Sequence, residues 1–207
     1  MINSITFERE YGCGAAAIAK RLAERLGWAL WDHEITCEIA RRLKCDVSSV
    51  EKLEEKPDPA FYRLIKVFMR GSYEEHYSGG GIELLDAESL AALFEKVVKD
   101  VVSRGPCVIV GRGSPWFLRG RAGNLTVFLY ASYQEKLRRI LAQGKSREEA
   151  EGLLERVDRD RAAFVKKYYG MVWPQRDLYD LMINTLPGDE AVIDMVFHQL
   201  EILNRRH

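Results

Sequence analysis

Short apolar runs alternate along the chain with longer stretches in which apolar residues recur every three or four positions. Ile2 to Phe7 is brief, β-rich and apolar, which predicts a buried first strand. From Ala15 to Leu26 the composition is helical, and Ile18, Leu22 and Leu26 form one stripe. Gly27 follows where a C-terminal cap is expected. Trp28 to Trp31 predicts a second strand ending at Asp32, and Ile35, Ile39 and Leu43 carry a further helical pattern. Asp46-Val47-Ser48-Ser49 reads as a cap before another short helix, and Pro57-Asp58-Pro59 breaks the pattern. Phe61 to Met69 reads as helix; Gly71 to Leu85, with Gly79-Gly80-Gly81, reads as a loop and as the most mobile part of the chain.

Leu90, Phe94, Val97, Val98 and Val101 trace one face of a long helix. Cys107-Val108-Ile109-Val110 and Leu125 to Tyr130 are continuous apolar runs, and Tyr179 to Asn184 is a last short strand. Helices are expected around Leu137, Ile140 and Leu141, from Ser146 to about Tyr169, and from Asp189 to Leu203. Strands that are short, apolar on both faces and separated by helices predict an α/β fold. Its parallel sheet has about five strands, covered by helices on both sides. Ligands in such sheets bind at the carboxyl ends of the strands. The stretches of interest are therefore Glu8 to Ala17, Asp32 onward, Gly111 to Ser114, and Ala131 to Ser132.

At 207 residues the chain suits one domain. Its 31 basic and 31 acidic residues balance, so no global field draws in nucleic acid or anionic lipid. No apolar run is long enough to cross a bilayer, and Met1 to Arg9 lacks the apolar stretch of a signal peptide. Cys13, Cys37, Cys45 and Cys107 form no C-x-x-C pair, and no His follows at zinc-ligand spacing. Reduced thiols and a cytoplasmic location are the corresponding expectations.

The loop Glu8-Arg9-Glu10-Tyr11-Gly12-Cys13-Gly14 lies between the first strand and the first helix. Gly12 and Gly14 let the backbone curl so that amides point inward, and the helix adds its own free N–H groups and positive end. Residues Gly12, Cys13, Gly14, Ala15, Ala16 and Ala17 thus make a candidate phosphate cradle. The alternative is a plain glycine turn. A full phosphate-binding loop reads G-x-x-x-x-G-K-[ST]. Here Arg9 stands at the first glycine, while Ala15 and Ala16 replace the lysine and the hydroxyl that holds Mg²⁺.

The chain resembles the cytidylate kinase-like proteins, relatives of the P-loop nucleoside monophosphate kinases. The resemblance is carried by Ile5 to Gly14 with Ile18 to Gly27, by Asp32, and by Cys107-Val108-Ile109-Val110-Gly111-Arg112-Gly113. It continues through Val127 to Ser132, Val157-Asp158-Arg159-Asp160-Arg161, and Tyr179 to Thr185. It implies a single kinase-like domain over 1–207, with an acceptor-side insertion at about 45–85 and a lid-like helical segment at about 146–175. It also implies ATP as donor, a small acceptor such as a nucleoside monophosphate, and Mg²⁺ carried by the nucleotide with no protein side chain as ligand. The triple alanine keeps a rival open: a nucleotide-binding protein of this fold that has lost transfer. A third reading is an oligomeric scaffold, so self-association stays open.

The resemblance gives Arg112 the acceptor's phosphate, and a Gly-Arg-Gly turn lets a ligand approach both backbone and guanidinium. Asp32 either accepts from the acceptor or caps the following helix. Arg156, Asp158, Arg159 and Arg161 fall in the lid-like segment. Arg161 is the most suggestive, because it shares a stripe with Val157, Phe164 and Tyr168. Arg9 could supply the charge of the missing lysine from the other end of the loop. Arg9, Arg112 and Arg161 are therefore the candidate catalytic cations. Trp116, Trp173, Tyr168 and Tyr169 either stack a base or fill the core.

Overall fold

The structure is a computed structural model and describes residues 1–42 and 87–205. The β-rich runs form five strands: β1 (Ser4–Arg9), β2 (Ala29–Trp31), β3 (Cys107–Val110), β4 (Asn124–Tyr130) and β5 (Leu181–Asn184). They make one parallel sheet in the order β2-β3-β1-β4-β5. The helices between them are α1 (Ala15–Leu26), α2 (His33–Arg42), α3 (Ala87–Ser103), α4 (Ser114–Phe117), α5 (Tyr133–Ala142), α6 (Arg147–Tyr169) and α7 (Asp189–Arg205). The expected 45–85 insertion lies outside the described residues, as do the elements read between Asp46 and Leu85.

The sheet has two unlike faces. On one, Ile5, Phe7, Val108, Val110, Leu125, Val127 and Leu129 pack against Ile18 and Leu22 of α1 and Val192 and Val196 of α7. That dry layer supplies the burial that drives this half of the fold. The other face carries Ser4, Thr6, Glu8 and Thr126, all buried. Strands apolar on both faces were expected here, and β1 departs from that pattern. The buried polar groups are held in a network. Ser4 Oγ donates to Asn124 Oδ1 at 2.8 Å, and Asn124 Nδ2 donates to Thr6 Oγ1 at 3.2 Å and Thr126 Oγ1 at 3.1 Å. Paired in this way, they escape most of the desolvation penalty.

Two boundaries also differ from the sequence reading. β1 runs through Glu8 and Arg9, where a loop was expected, because both residues stay in register with Phe128 and Leu129 of β4. Their opposite charges meet at 3.3 Å, which lets a charged pair end a buried strand. β5 begins at Leu181 rather than Tyr179. A 3-10 turn at Arg176–Leu178 precedes it, and the Asp180 carboxylate accepts from the Thr126 N–H at 2.7 Å. Placing β1 centrally, between β3 and β4, brings the loop after it to the middle of the sheet's carboxyl edge.

Candidate functional site

Two left-handed glycines shape the loop after β1. Gly12 has φ +78° and Gly14, the N-cap of α1, has φ +87°. A side chain is strained at such angles, which explains glycine at both positions. The Thr185 hydroxyl donates to the Cys13 carbonyl at 2.8 Å and pins the loop from the end of β5. The Cys13 side chain is buried, and burial pushes its thiol up to about 12 despite the Ala15 amide that donates to it. The N–H groups of Gly12, Cys13, Gly14, Ala16 and Ala17 meet no acceptor among the described residues. In front of them opens a cleft of about 330 Å³ that reaches from Arg9 along the loop to α5. Uncovered amides, a helix N-terminus and an open cleft are what an anion cradle requires.

The far wall of the cleft comes from α5. Ser132 caps this helix by accepting from the Glu135 N–H, and one apolar side, Leu137 and Ile140, is buried. Arg138 and Arg139 line the cleft. The Arg139 guanidinium lies so close to Gly14 that a Cβ there would collide with it. Arg139 donates to Glu135 at 2.8 Å, to Asp189 at 3.1 Å and to the Thr185 carbonyl at 3.2 Å. Hydrogen bonds from Arg138 and Arg139 pull the Glu135 carboxyl down to about 2. The sequence reading missed both arginines. The available signal was a basic doublet on the polar side of a helix that follows a strand's carboxyl end.

α6 reaches the loop from the other side. Asp158 accepts from the Tyr11 N–H through both oxygens, at 2.9 and 3.1 Å. Burial raises its pKa, while Arg161, the Tyr11 amide and Lys136 act in the opposite sense. Arg161 is 6% exposed and donates to the Arg9 carbonyl at 2.6 Å and to Asp158 at 2.7 Å. Its own pKa is lowered, first by burial and then by the charge of Arg9. Asp158 and Arg161 thus grip a carbonyl and an amide at the start of the loop. Lys136 adds a bond to Glu10 at 2.9 Å. Arg156 and Arg159 lie exposed on the same helix and do not line the cleft.

The Arg9 side chain takes a different direction from its loop. Its guanidinium pairs with Glu8 and lies against Gly111, where a Cβ would collide with it. It therefore stands between the cradle and the turn that ends β3. In that turn Gly111, Arg112 and Gly113 are all left-handed, at φ +67°, +58° and +71°. Arg112 is the one described non-glycine residue with positive φ, and its side chain is 1% exposed. A long charged side chain in so strained a backbone is a common mark of a functional position. Asp32 is also buried, directly before α2, and its own N–H donates to Glu34 at 3.1 Å. Trp116 packs in the interior, stacked on Tyr169 with ring centroids 5.7 Å apart, and Trp173 packs against Phe128. The Tyr168 side chain lies outside the described residues.

This arrangement places the loop with its uncovered amides and a buried arginine turn side by side, with the Arg9 guanidinium between them. The family model of the cytidylate kinase-like family matches residues 4–186. The chain belongs to the cytidylate kinase-like family. No curated protein matches it. Among solved structures it is similar to an uncharacterized protein from Eubacterium ventriosum ATCC 27560, with TM-score 0.64 and 18% identity over 97% of this chain and 99% of that one. It is also similar to shikimate kinase from Acinetobacter baumannii, with TM-score 0.54 and 18% identity over 99% and 95% of the two chains. A gluconokinase from Sinorhizobium meliloti 1021 gives TM-score 0.54 and 13% identity over 99% and 94%. At these identities the likeness is one of fold: a five-stranded α/β kinase-like sheet. Among the described residues no helix is long and apolar enough to cross a membrane, and no cluster of three His, Cys, Asp or Glu side chains could hold a metal.

Proposed function

We propose that this cytidylate kinase-like protein transfers a phosphoryl group from ATP to a nucleoside monophosphate or a related small acceptor. The observation that carries this reading is the open cleft in front of the Gly12, Cys13, Gly14, Ala16 and Ala17 amides, which meet no acceptor among the described residues, walled by Arg138, Arg139 and Arg161. The cradle holds the donor phosphates, and Arg139 brings positive charge to the mouth of a loop that has no lysine. Arg112 and Asp32 face the acceptor from the ends of β3 and β2. Arg9 lies between the two sites, where charge spreads as the phosphoryl group passes. The acceptor oxygen bonds to the γ-phosphorus as the bond to the ADP oxygen breaks, and that electron pair leaves with ADP. Catalysis rests on positioning and charge neutralisation. With alanine at the hydroxyl position no loop side chain offers a ligand, and Mg²⁺, if used, would be held by the nucleotide's phosphates and water and would offset their charge.

Ala15 and Ala16 favour a second reading, in which the same site binds nucleotide without transfer. The two differ in a coupled ADP-release assay run with ATP and a panel of acceptors that includes cytidine monophosphate, paired with ATP calorimetry. ADP release dependent on an acceptor supports transfer. ATP binding without release supports the second reading, and absence of both overturns the site.

A further inference from the structure

The proposed donor site has two parts that come from distant stretches of chain. One is the run of uncovered amides after β1, and the other is the Arg139 guanidinium on α5. Ala15 stands where a full phosphate-binding loop carries its lysine, so the loop does not supply its own cation. Amides and guanidinium act well on one anion when their separation is fixed before it arrives, because ordering them on binding costs entropy. The contact that fixes them therefore has to reach both parts.

Thr185 makes that contact. It follows Asn184, the last residue of β5, and is fully buried. Its N–H donates to the Tyr130 carbonyl at 2.8 Å, which ties the residue to the end of β4 and so to the sheet. Its hydroxyl donates to the Cys13 carbonyl at 2.8 Å, within the loop. Its carbonyl accepts from Arg139 at 3.2 Å and from the Gly188 N–H at 3.1 Å. All three polar groups of one residue are thus engaged, and they lead to the sheet, the loop and α5.

The result is visible at Gly14. A Cβ there would collide with Arg139 and would stand 3.7 Å from Asp189 Oδ1, which accepts from the same guanidinium. Arg139 therefore lies directly against the loop that the Thr185 hydroxyl holds. Threonine suits the position because its branched Cβ restricts χ1 and so keeps the hydroxyl aimed. Valine has the same outline but no donor for the Cys13 carbonyl. We infer that Thr185 is the positioning residue of the donor site. Its hydroxyl sets the loop and its carbonyl sets Arg139, so that amides and guanidinium meet the same phosphate chain. This inference rests on the cradle's taking the donor phosphates, and it names what organises that cradle in advance.

The test is calorimetry of the full chain with inorganic tripolyphosphate, which has the donor's phosphates without sugar or base, and with ATP. Thr185→Val removes the hydroxyl, and Thr185→Ser keeps it. Thr126→Val is the control for general loosening. It removes a buried hydroxyl that bonds Asn124 on the polar face of the sheet. Thr185→Val is expected to weaken tripolyphosphate about fivefold to tenfold, and Thr185→Ser to stay within about twofold of wild type. Thr126→Val should lose stability in urea and keep its affinity. Equal affinity in wild type and Thr185→Val overturns the inference and leaves the nucleotide site standing. Equal weakening in Thr126→Val, or no rescue by serine, also overturns it, because either reports a general loss of order. Wild type that binds ATP but not tripolyphosphate overturns it as well, since loop and Arg139 then do not hold phosphate together. If wild type binds neither probe, the donor reading fails and this inference with it. A ¹H–¹⁵N titration of the wild type decides the matter even if the valine variant does not fold. Tripolyphosphate should move the Gly14 and Ala16 amides and the Arg139 Nε–H with one apparent affinity, and amides that move without Arg139 refute the coupling.

Discussion

Replacing Gly14 by alanine separates a binding role for the loop from a structural one. At φ +87° the new Cβ costs about 1–2 kcal/mol in the backbone alone. It would also strike the Arg139 guanidinium and drive it from Asp189 and the Thr185 carbonyl. Two such partly buried bonds add about 1–2 kcal/mol, so the expected loss is about 2–4 kcal/mol. Gly27→Ala is the matched control. Its φ is +65° and no atom lies within 4 Å of its Cβ position, so it carries the backbone cost alone. Urea unfolding of both variants measures the two costs. Calorimetry with ATP then reads the site. Gly14→Ala is expected to weaken ATP at least tenfold, equivalent to about 1.4 kcal/mol, by displacing Arg139 and crowding the cradle. Gly27→Ala should leave ATP affinity unchanged. Equal ATP affinity in the two variants would refute the argument that the Gly14 amides and Arg139 receive the donor phosphates.

Three further outcomes follow from the same geometry. Glu135→Gln removes a carboxylate held at about 2, against 4.5 for an ordinary Glu, so the stabilisation it contributes is present above pH 4.5 and lost as pH falls toward 2. The stability gap between wild type and variant should be about 1 kcal/mol near neutral pH and narrow below pH ~4 in urea titrations; a gap that widens in acid would contradict the assignment. Asp158→Asn removes the carboxylate hydrogen-bonded to Arg161 and leaves it facing Arg9 with only the more distant Glu8 opposite, and should destabilise the chain by about 3 kcal/mol. Saturating ATP should recover part of that loss in thermal unfolding, because nucleotide orders the same loop. Cys13, with its thiol at about 12, and Cys107, at about 11, should resist iodoacetamide at pH 8 in the native protein and react in urea, as read by peptide mass mapping. Fast native labelling of Cys13 would mean that the loop opens readily.

Much of the fold was legible in the chain. Alternating apolar runs and helical stripes predicted the parallel sheet, and Gly12, Gly14 and the Gly111–Gly113 turn marked the loops at its carboxyl edge. The polar face was also present in Ser4-Ile5-Thr6-Phe7-Glu8, which alternates at the period of a strand, although the run reads as apolar throughout when short strands are sought. Arg161 stood out because a charge on an apolar helical stripe needs a partner, and the structure supplies the Arg9 carbonyl and Asp158.

By itself the sequence determined local conformation: which segments extend, which coil, and where only glycine fits, since these depend on neighbours within a few residues. Only the tertiary structure decided which charges share a site. Arg139 meets Gly14 from across 125 positions of chain, and Arg161 reaches the Arg9 carbonyl from 152 positions away. Side-chain direction mattered as much. Arg9 leaves its own loop to pair with Glu8 beside Gly111, because a buried guanidinium goes where a carboxylate and an uncrowded backbone can receive it.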